Sequence, residues 1–187
     1  MKITERELKG VFEIEPSPFE DHRGFFMRTY DSAIFIQYGL NREWVQENHS
    51  HSKQKGTLRG LHFLNEPHTD AKLIRCISGE IYDVLVDIRK DSPTYGKWIS
   101  VILSAKNKKS LFIPRGFAHG FCTLTENCDI IYKHDNWYNK EADAGIFWND
   151  KDLNINWPVK NPIISERDKH LPDFKEFTEK VGGLNYR

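Results

Sequence analysis

An all-β fold is predicted for this chain of 187 residues by two features of its sequence. In its middle part, short apolar segments recur about every ten residues, separated by turns rich in Gly, Pro, Asn and Asp, which is typical of a β-sandwich or barrel. No helical pattern of about 10–15 residues separates these segments, which argues against a parallel α/β sheet. The natural arrangement for such strands is a jelly roll, in which two sheets pack face to face.

The predicted strands follow one another closely along the chain. They cover residues 73–77, 81–88, 97–103, 111–113, 119–124 and 129–132. Helices are expected only at the periphery: one begins at a cap on Asp31, runs to Tyr38 and ends at Gly39, and a second covers residues 173–181. Residues 1–187 are thus predicted to form one jelly-roll domain with short N- and C-terminal extensions and short peripheral helices.

Charge and composition exclude several classes of function. Lysine and arginine together number 27, as do aspartate and glutamate, so the formal net charge is zero and nothing favours nucleic acid or anionic membranes as partners. No apolar run approaches the roughly 20 residues that span a bilayer, and residues 1–7 carry no apolar signal segment, so a cytoplasmic protein is expected. Cys76, Cys122 and Cys128 form no Cys-x-x-Cys pair and indicate neither a disulfide framework nor a zinc framework.

The histidines raise the question of a metal site. His49 and His51 would share one face of a strand, and His119 ends a Pro-x-Gly-x-x-His pattern that resembles the second half of the cupin signature. A zinc or iron ion bound by these three imidazoles is one interpretation. The glutamate that a metal-binding cupin carries shortly after its His-x-His pair is absent from residues 52–57, which favours a pocket without metal.

A group of cationic side chains indicates an anionic ligand. Arg59 and His62 lie three residues apart in an apolar segment, and Lys72 begins the next one. Burial of such groups is costly unless an anion pairs with them. A diphosphate is such a partner, because arginine can bind its oxygens in a bidentate manner. Together, these residues predict a pocket for an anionic ligand.

A set of motifs resembles one known family along nearly the whole chain. In order they are Asp-His-Arg-Gly-Phe-Phe at 21–26, Gln-Glu-Asn-His-Ser at 46–50, Leu-Arg-Gly-Leu-His-Phe at 58–63, Ala-Lys-Leu-Ile-Arg at 71–75, Ile-Pro-Arg-Gly-Phe-Ala-His-Gly-Phe at 113–121, Tyr-Lys at 132–133 and Ser-Glu-Arg-Asp at 165–168. These motifs are similar to those of the dTDP-4-dehydrorhamnose 3,5-epimerase family. The resemblance implies a cupin jelly roll, a homodimer and catalysis without a metal or another cofactor.

The resemblance also implies roles for individual residues. His62 would be the catalytic base, Asp168 would orient it, Tyr132 would be the general acid, and Lys72 would stabilise an enolate. The implied contacts to the nucleotide, phosphates and other parts of the ligand fall on Arg23, Gln46, Glu47, Asn48, Arg59, His119, Asp143 and Arg167. Many family members carry glutamate at position 143 and lysine at position 167.

These residue types suit proton transfer beside a ketone. A 4-keto group acidifies the C–H bonds at C3 and C5, so epimerisation needs a base on one face and an acid on the other. Histidine has an ordinary pKa of about 6.5, and a tyrosine hydroxyl keeps its proton at neutral pH. The expected enzyme is an isomerase that acts on a nucleotide-diphosphate 4-keto-6-deoxy sugar in deoxysugar and polysaccharide biosynthesis.

Two departures from the family pattern border the expected ligand. Arg28 stands where a glutamate commonly contacts the nucleotide base; arginine can only donate, which suits the acceptor edge of cytosine better than the ring N–H of thymine. One hypothesis is therefore that Arg28 binds the base of a CDP-sugar or another nucleotide sugar in place of a dTDP-sugar. Leu64 and the loop 65–70 also differ, which leaves open whether C3, C5 or both centres are inverted.

A cupin that binds a sugar nucleotide without turnover is a further alternative. Such a protein would keep the cationic pocket, but it would not need an acid and a base together. The joint presence of His62, Tyr132, Lys72 and Asp168 therefore favours an enzyme.

Overall fold

The computed structural model describes residues 1–186, which form mostly strands. In chain order, the strands are β1 (Lys2–Glu5), β2 (Phe12–Glu15), β3 (Phe19–Asp21), β4 (Gly24–Phe26), β5 (Gln46–Ser52), β6 (Leu58–Leu64), β7 (Lys72–Ser78), β8 (Glu80–Asp87), β9 (Trp98–Ser104), β10 (Ser110–Ile113), β11 (Phe117–Thr123), β12 (Cys128–His134) and β13 (Asp143–Gly145). The helices are α1 (Ser32–Gln37), α2 (Glu166–Lys169) and α3 (Phe174–Val181).

The strands form two large antiparallel sheets and one small hairpin. The six-stranded sheet has the order β1-β2-β10-β7-β12-β5, and the five-stranded sheet has the order β13-β6-β11-β8-β9. Within residues 1–186, strands β3 and β4 pair only with each other. Because the two large sheets share a buried core, the predicted all-β jelly roll is confirmed.

The elements predicted from the sequence are present. Each predicted strand is found with its ends shifted by at most two residues. Helix α1 is capped by Asp31, whose side chain accepts from the backbone N–H groups of Ala33 and Ile34. Helix α3 is capped by Asp173 and is followed by Gly182 in the left-handed conformation. Helix α2 was not predicted, and within residues 1–186 no helix is long and apolar enough to cross a membrane.

The core between the two sheets fills only one end of the sandwich. On β7 and β12, alternate side chains point to the opposite sheet. Ile74 and Ile130 are buried there among apolar residues of β8, β9 and β11. Further along the same faces, the inward residues are instead Lys72, Tyr132 and His134, which line a cavity. The sheet therefore changes from apolar to polar along its length, and the change places a site at one end.

Further apolar clusters anchor the outer faces of both sheets. Phe35 of α1 is fully buried against the six-stranded sheet, together with Phe112. Phe177 of α3 packs beside Phe63 on the other side, with ring centroids 5.2 Å apart. These contacts hold the helices outside the sheets and leave the cavity between the sheets open.

Candidate active site

The cavity between the sheets has a volume of about 610 Å³, and residues of both sheets and of α2 line it. The six-stranded sheet contributes the side chains of Gln46, Asn48, Lys72, Tyr132 and His134. The five-stranded sheet contributes Arg59, His62, His119 and Asp143, and Arg167 and Asp168 come from α2. A ligand in the cavity would thus have one group of polar side chains on each side.

A β-bulge in β6 brings Arg59 and His62 to the same wall. In a regular strand, residues three apart point to opposite faces. Opposite β11, however, His62 pairs with His119 and Arg59 pairs with Phe121, so β6 has one extra residue in this interval. The extra residue lets both side chains reach the cavity.

Gly60 makes this bulge feasible. Its φ is +112°, and a Cβ atom built on it would lie 2.6 Å from the carbonyl oxygen of His119 and 2.7 Å from the Cα of Gly120. Any other residue at position 60 would therefore force the backbone of His119 and Gly120 to move. The positive φ would also strain the backbone of a residue with a side chain.

Gly60→Ala is expected to lower the free energy of unfolding by about 2–3 kcal/mol and to reduce turnover at least about tenfold, because it displaces Arg59 and His62. Urea unfolding and steady-state kinetics measure the two effects. Gly39→Ala is the control, since Gly39 has a φ of +70° but open space around its Cβ position. Equal losses of activity in both variants would contradict this account of the bulge.

His62 forms a hydrogen-bonded pair with a buried carboxylate. The Nε2 of His62 lies 2.8 Å from Oδ1 of Asp168, and Oδ2 of Asp168 accepts the backbone N–H of Gly60 at 3.1 Å. Burial opposes ionisation of Asp168, but the hydrogen bond and charge of His62 outweigh it and lower the pKa of the carboxyl. An ionised carboxylate only accepts, so Nε2 carries a proton, and in the neutral form of the ring the lone pair is on Nδ1. This arrangement suits a general base.

Tyr132 faces the cavity from the opposite sheet. Burial raises the pKa of its hydroxyl above the ordinary value, although the charge of Arg59 opposes this. The hydroxyl therefore stays protonated at neutral pH and can act as an acid. Because His62 belongs to the five-stranded sheet and Tyr132 to the six-stranded sheet, the two groups approach a ligand from different sides.

Lys72 and His119, which line the cavity, each contact a buried carboxyl group. Lys72 is buried and donates from Nζ to Oδ1 of Asp70 at 2.8 Å. On the other wall, Nε2 of His119 lies 2.8 Å from Oδ1 of Asp83, a fully buried carboxyl. Burial raises the pKa of Asp83, which His119 offsets only in part. The cavity thus holds cationic and hydrogen-bonding groups in fixed positions without a strong excess of unpaired charge.

Comparison with known proteins identifies the family of this chain. Residues 5–176 match the family model described as dTDP-4-dehydrorhamnose 3,5-epimerase. A relative of that name from Shigella flexneri is 50% identical over 169 residues, which cover 90% of this chain and 93% of the relative. The chain belongs to the dTDP-4-dehydrorhamnose 3,5-epimerase family. The resemblance predicted from the motifs is confirmed, and with it the prediction of an isomerase.

Solved structures of epimerases agree in fold over nearly their whole length. One is the dTDP-4-dehydrorhamnose 3,5-epimerase from Bacillus anthracis with TDP and PPi bound, which is 46% identical to this chain and has a TM-score of 0.91. The matched region covers 92% of this chain and 99% of that structure. Another is dTDP-6-deoxy-D-glucose-3,5-epimerase from Legionella pneumophila in complex with dTDP-4-keto-L-rhamnose, which is 36% identical and has a TM-score of 0.92. Here the matched region covers 100% of this chain and 98% of that structure.

Most residues that the sequence predicted for the epimerase site line this one cavity. They are His62, Tyr132, Lys72, Asp168, Gln46, Asn48, Arg59, His119, Asp143 and Arg167. Arg167 and Asp143 form a salt bridge in which Nη2 lies 2.8 Å from Oδ1, so these two residues also pair with each other at the cavity.

Three predicted ligand contacts lie elsewhere in the chain. Glu47 points away from the cavity because it alternates with Gln46 and Asn48 on β5, and it pairs with Lys133. Arg23 lies in the exposed turn between β3 and β4 and pairs with Asp21, and neither residue is among those that line the cavity. Arg28 pairs with Asp31 at the start of α1, also outside the cavity of its own chain.

The three histidines of the metal interpretation are not brought together. His49 and His51 lie on the outer face of β5, where both contact Oδ1 of Asp129 at 2.9 Å. His119 instead faces the cavity between the sheets. Family membership and this separation favour the epimerase over the metal-dependent alternative that the sequence had left open.

Sequence reasoning overlooked two ionisable residues of the site, Asp70 and His134. Both are buried and line the cavity. His134 could have been found from strand alternation, because it lies two residues after Tyr132 and therefore on the same face of β12. Asp70 precedes β7 in a loop, and no local pattern indicates that it turns inward.

Proposed function

We propose that this protein epimerises a dTDP-linked 4-keto-6-deoxy sugar at C3 and C5. The observation that carries the proposal is the placement of a histidine–carboxylate pair, His62 and Asp168, on one side of a cavity and a protonated tyrosine, Tyr132, on the other. Inversion at a carbon requires removal of a proton from one face and its return on the opposite face. The names of the relatives support the same substrate class.

In the proposed reaction, the free Nδ1 of His62 removes the proton from a carbon beside the ketone. Asp168 keeps the ring in the required tautomer and stabilises the imidazolium that forms. Electrons from the broken C–H bond move to the 4-keto oxygen and give an enolate. Tyr132 then donates its hydroxyl proton to the same carbon from the other side, and the ketone forms again. The imidazolium of His62 gives its extra proton to solvent and the tyrosinate takes one from solvent, which restores both groups for the second carbon.

Lys72 is proposed to stabilise the enolate oxygen. Its ammonium group lies in the cavity, and burial strengthens its interaction with a developing negative charge. Arg59 and His119 are proposed to bind the diphosphate or neighbouring parts of the nucleotide, with Gln46, Asn48, Asp143 and Arg167 as further contacts. The steps use protein groups alone and need no redox or metal cofactor.

Turnover with different nucleotides tests the proposed substrate. With dTDP- and CDP-4-keto-6-deoxyglucose in one solution, we expect at least about tenfold faster conversion of the dTDP-sugar, followed by NMR of the sugar protons. The hypothesis that Arg28 selects a CDP-sugar predicts the reverse preference. Conversion of neither sugar would contradict the proposed function itself.

We further propose that the protein acts as a homodimer. The hairpin β3–β4 exposes 69% of Phe19, 55% of Phe25 and 74% of Phe26, and exposed aromatic groups of this kind favour a protein contact. Ligand contacts by Arg23 and Arg28 would then require this region of one protomer to lie over the cavity of its partner. Light scattering coupled to gel filtration should give twice the 22.0 kDa mass of the chain. The cytoplasmic location stays a prediction.

A further inference from the structure

A second carboxylate–imidazole pair lies in the cavity, separate from His62 and Asp168. Asp70 is 7% exposed, and its Oδ1 accepts from Nζ of Lys72 at 2.8 Å while its Oδ2 contacts Nδ1 of His134 at 2.5 Å. The other ring nitrogen of His134, Nε2, lies 3.2 Å from Nδ2 of Asn48. A single carboxylate thus contacts both the predicted enolate-binding lysine and His134, which in turn contacts Asn48 of β5.

The carboxylate fixes the direction of hydrogen bonding at its end of this series. Burial opposes ionisation of Asp70, but the charge of Lys72 and the hydrogen bond from His134 outweigh it and lower the pKa of the carboxyl to about 2. At neutral pH both oxygens of Asp70 are therefore acceptors. The Nδ1 of His134 must then carry a proton and donate it.

A backbone group fixes the direction at the other end. The N–H of Tyr138 donates to Oε1 of Gln46 at 3.1 Å, so Gln46 turns its Nε2 toward Oδ1 of Asn48, which lies 3.3 Å away. Asn48 therefore presents its Nδ2 to His134, whose Nε2 has to accept. Both ends agree on one state of the imidazole: neutral, with the proton on Nδ1.

This series also leaves donors for a ligand. An amide nitrogen carries two protons, and Gln46 and Asn48 each use one of them within the series. The remaining N–H of each belongs to a side chain that lines the cavity. If the direction were reversed, these residues would offer a different set of donors and acceptors to the ligand.

We propose that Asp70 and His134 are positioning residues, which hold Lys72 in the cavity and fix Gln46 and Asn48 as hydrogen-bond donors to ligand oxygen atoms. The inference deepens the proposed function and rests on it for the identity of the ligand. Asp70 acts on two groups of the six-stranded wall at once, because one of its oxygens binds Lys72 and the other sets the tautomer of His134.

The tautomer can be measured in the unmodified protein. In protein labelled with ¹⁵N-histidine, NMR at neutral pH should show a protonated Nδ1 and an unprotonated Nε2 for His134, with the signals assigned by their loss in His134→Leu. In Asp70→Asn, an amide that keeps its oxygen toward Lys72 turns its nitrogen toward Nδ1 of His134, so the Nδ1-protonated form should lose population to the Nε2-protonated form, although Asn48 opposes this change. An imidazolium, or the Nε2-protonated form in the wild type, would overturn the proposal.

Binding of dTDP tests the path through Asn48. His134→Leu removes both hydrogen bonds of the ring, and we expect it to raise the Kd for dTDP about tenfold by calorimetry. In an Asn48→Ala background, the same change should raise Kd by less than about twofold, because both residues act through one series. Equal effects in both backgrounds would overturn the proposal, since a general loss of packing gives additive changes.

Kinetics separate the effect of Asp70 on Lys72 from its effect on His134. Asp70→Asn should lower kcat at least about tenfold, because Lys72 loses its counter-charge, whereas His134→Leu should change KM more than kcat. If both variants changed KM and kcat in the same proportion, the separate roles of Asp70 toward Lys72 and toward His134 would be contradicted. A wild-type protein that neither binds dTDP nor converts the sugar would contradict the proposed function, while the NMR measurement would still decide on the hydrogen-bond series.

Discussion

His62→Ala is expected to lower kcat/KM by about 10³-fold, because the variant lacks the general base and the 4-keto sugar alone holds its protons too tightly for removal by water. The affinity for dTDP should change little, since the imidazole is proposed to act on the sugar. Initial rates followed by NMR, together with calorimetry of dTDP binding, measure the two quantities.

His49→Ala is the matched control for this variant. His49 is a histidine of the outer face of β5, and it contacts Asp129 instead of the cavity. Its replacement should leave turnover within about twofold of the wild type, as is usual for surface substitutions. A large loss in His49→Ala combined with a small one in His62→Ala would contradict the assignment of the base and would favour the metal-dependent alternative.

Tyr132→Phe should separate proton removal from inversion. The change keeps the ring and removes only the hydroxyl, so His62 can still form the enolate and return a proton to the face from which it came. We expect exchange of the sugar proton with solvent to continue, while formation of the inverted product falls about 10²–10³-fold. NMR of the recovered sugar in D2O distinguishes retained from inverted carbon.

Tyr95→Phe provides the control, because the hydroxyl of Tyr95 contacts Thr178 away from the cavity. This variant should invert its substrate at nearly the wild-type rate. Normal inversion by Tyr132→Phe would show that another group returns the proton and would remove Tyr132 from the proposed mechanism.

Local signals in the sequence predicted the elements of the fold well. Asp31 and Asp173 cap the helices at which they were placed, since capping depends on a side chain and the next few backbone groups. Strand bounds followed from turn residues in the same way. The cationic pocket could also be predicted, because Arg59 and His62 lie in one apolar segment with Lys72 shortly after it.

Other parts of the site depend on contacts that no local pattern describes. The pair of Asp70 and His134 joins residues 64 positions apart and requires the register in which His134 of β12 lies opposite Lys72 of β7. The bulge at Gly60 depends likewise on how β6 pairs with β11. Family motifs placed Glu47 in the site together with its neighbours, although strand alternation turns it outward in this chain.

The central claim is that His62 forms an enolate that is protonated from the opposite side of the cavity. The most direct test incubates the wild-type protein with dTDP-4-keto-6-deoxyglucose in D2O and follows C3 and C5 by NMR. We predict that deuterium enters at both carbons with inversion at both, and that His62→Ala abolishes this incorporation. A wild-type protein that binds dTDP but incorporates deuterium at neither carbon would contradict the account.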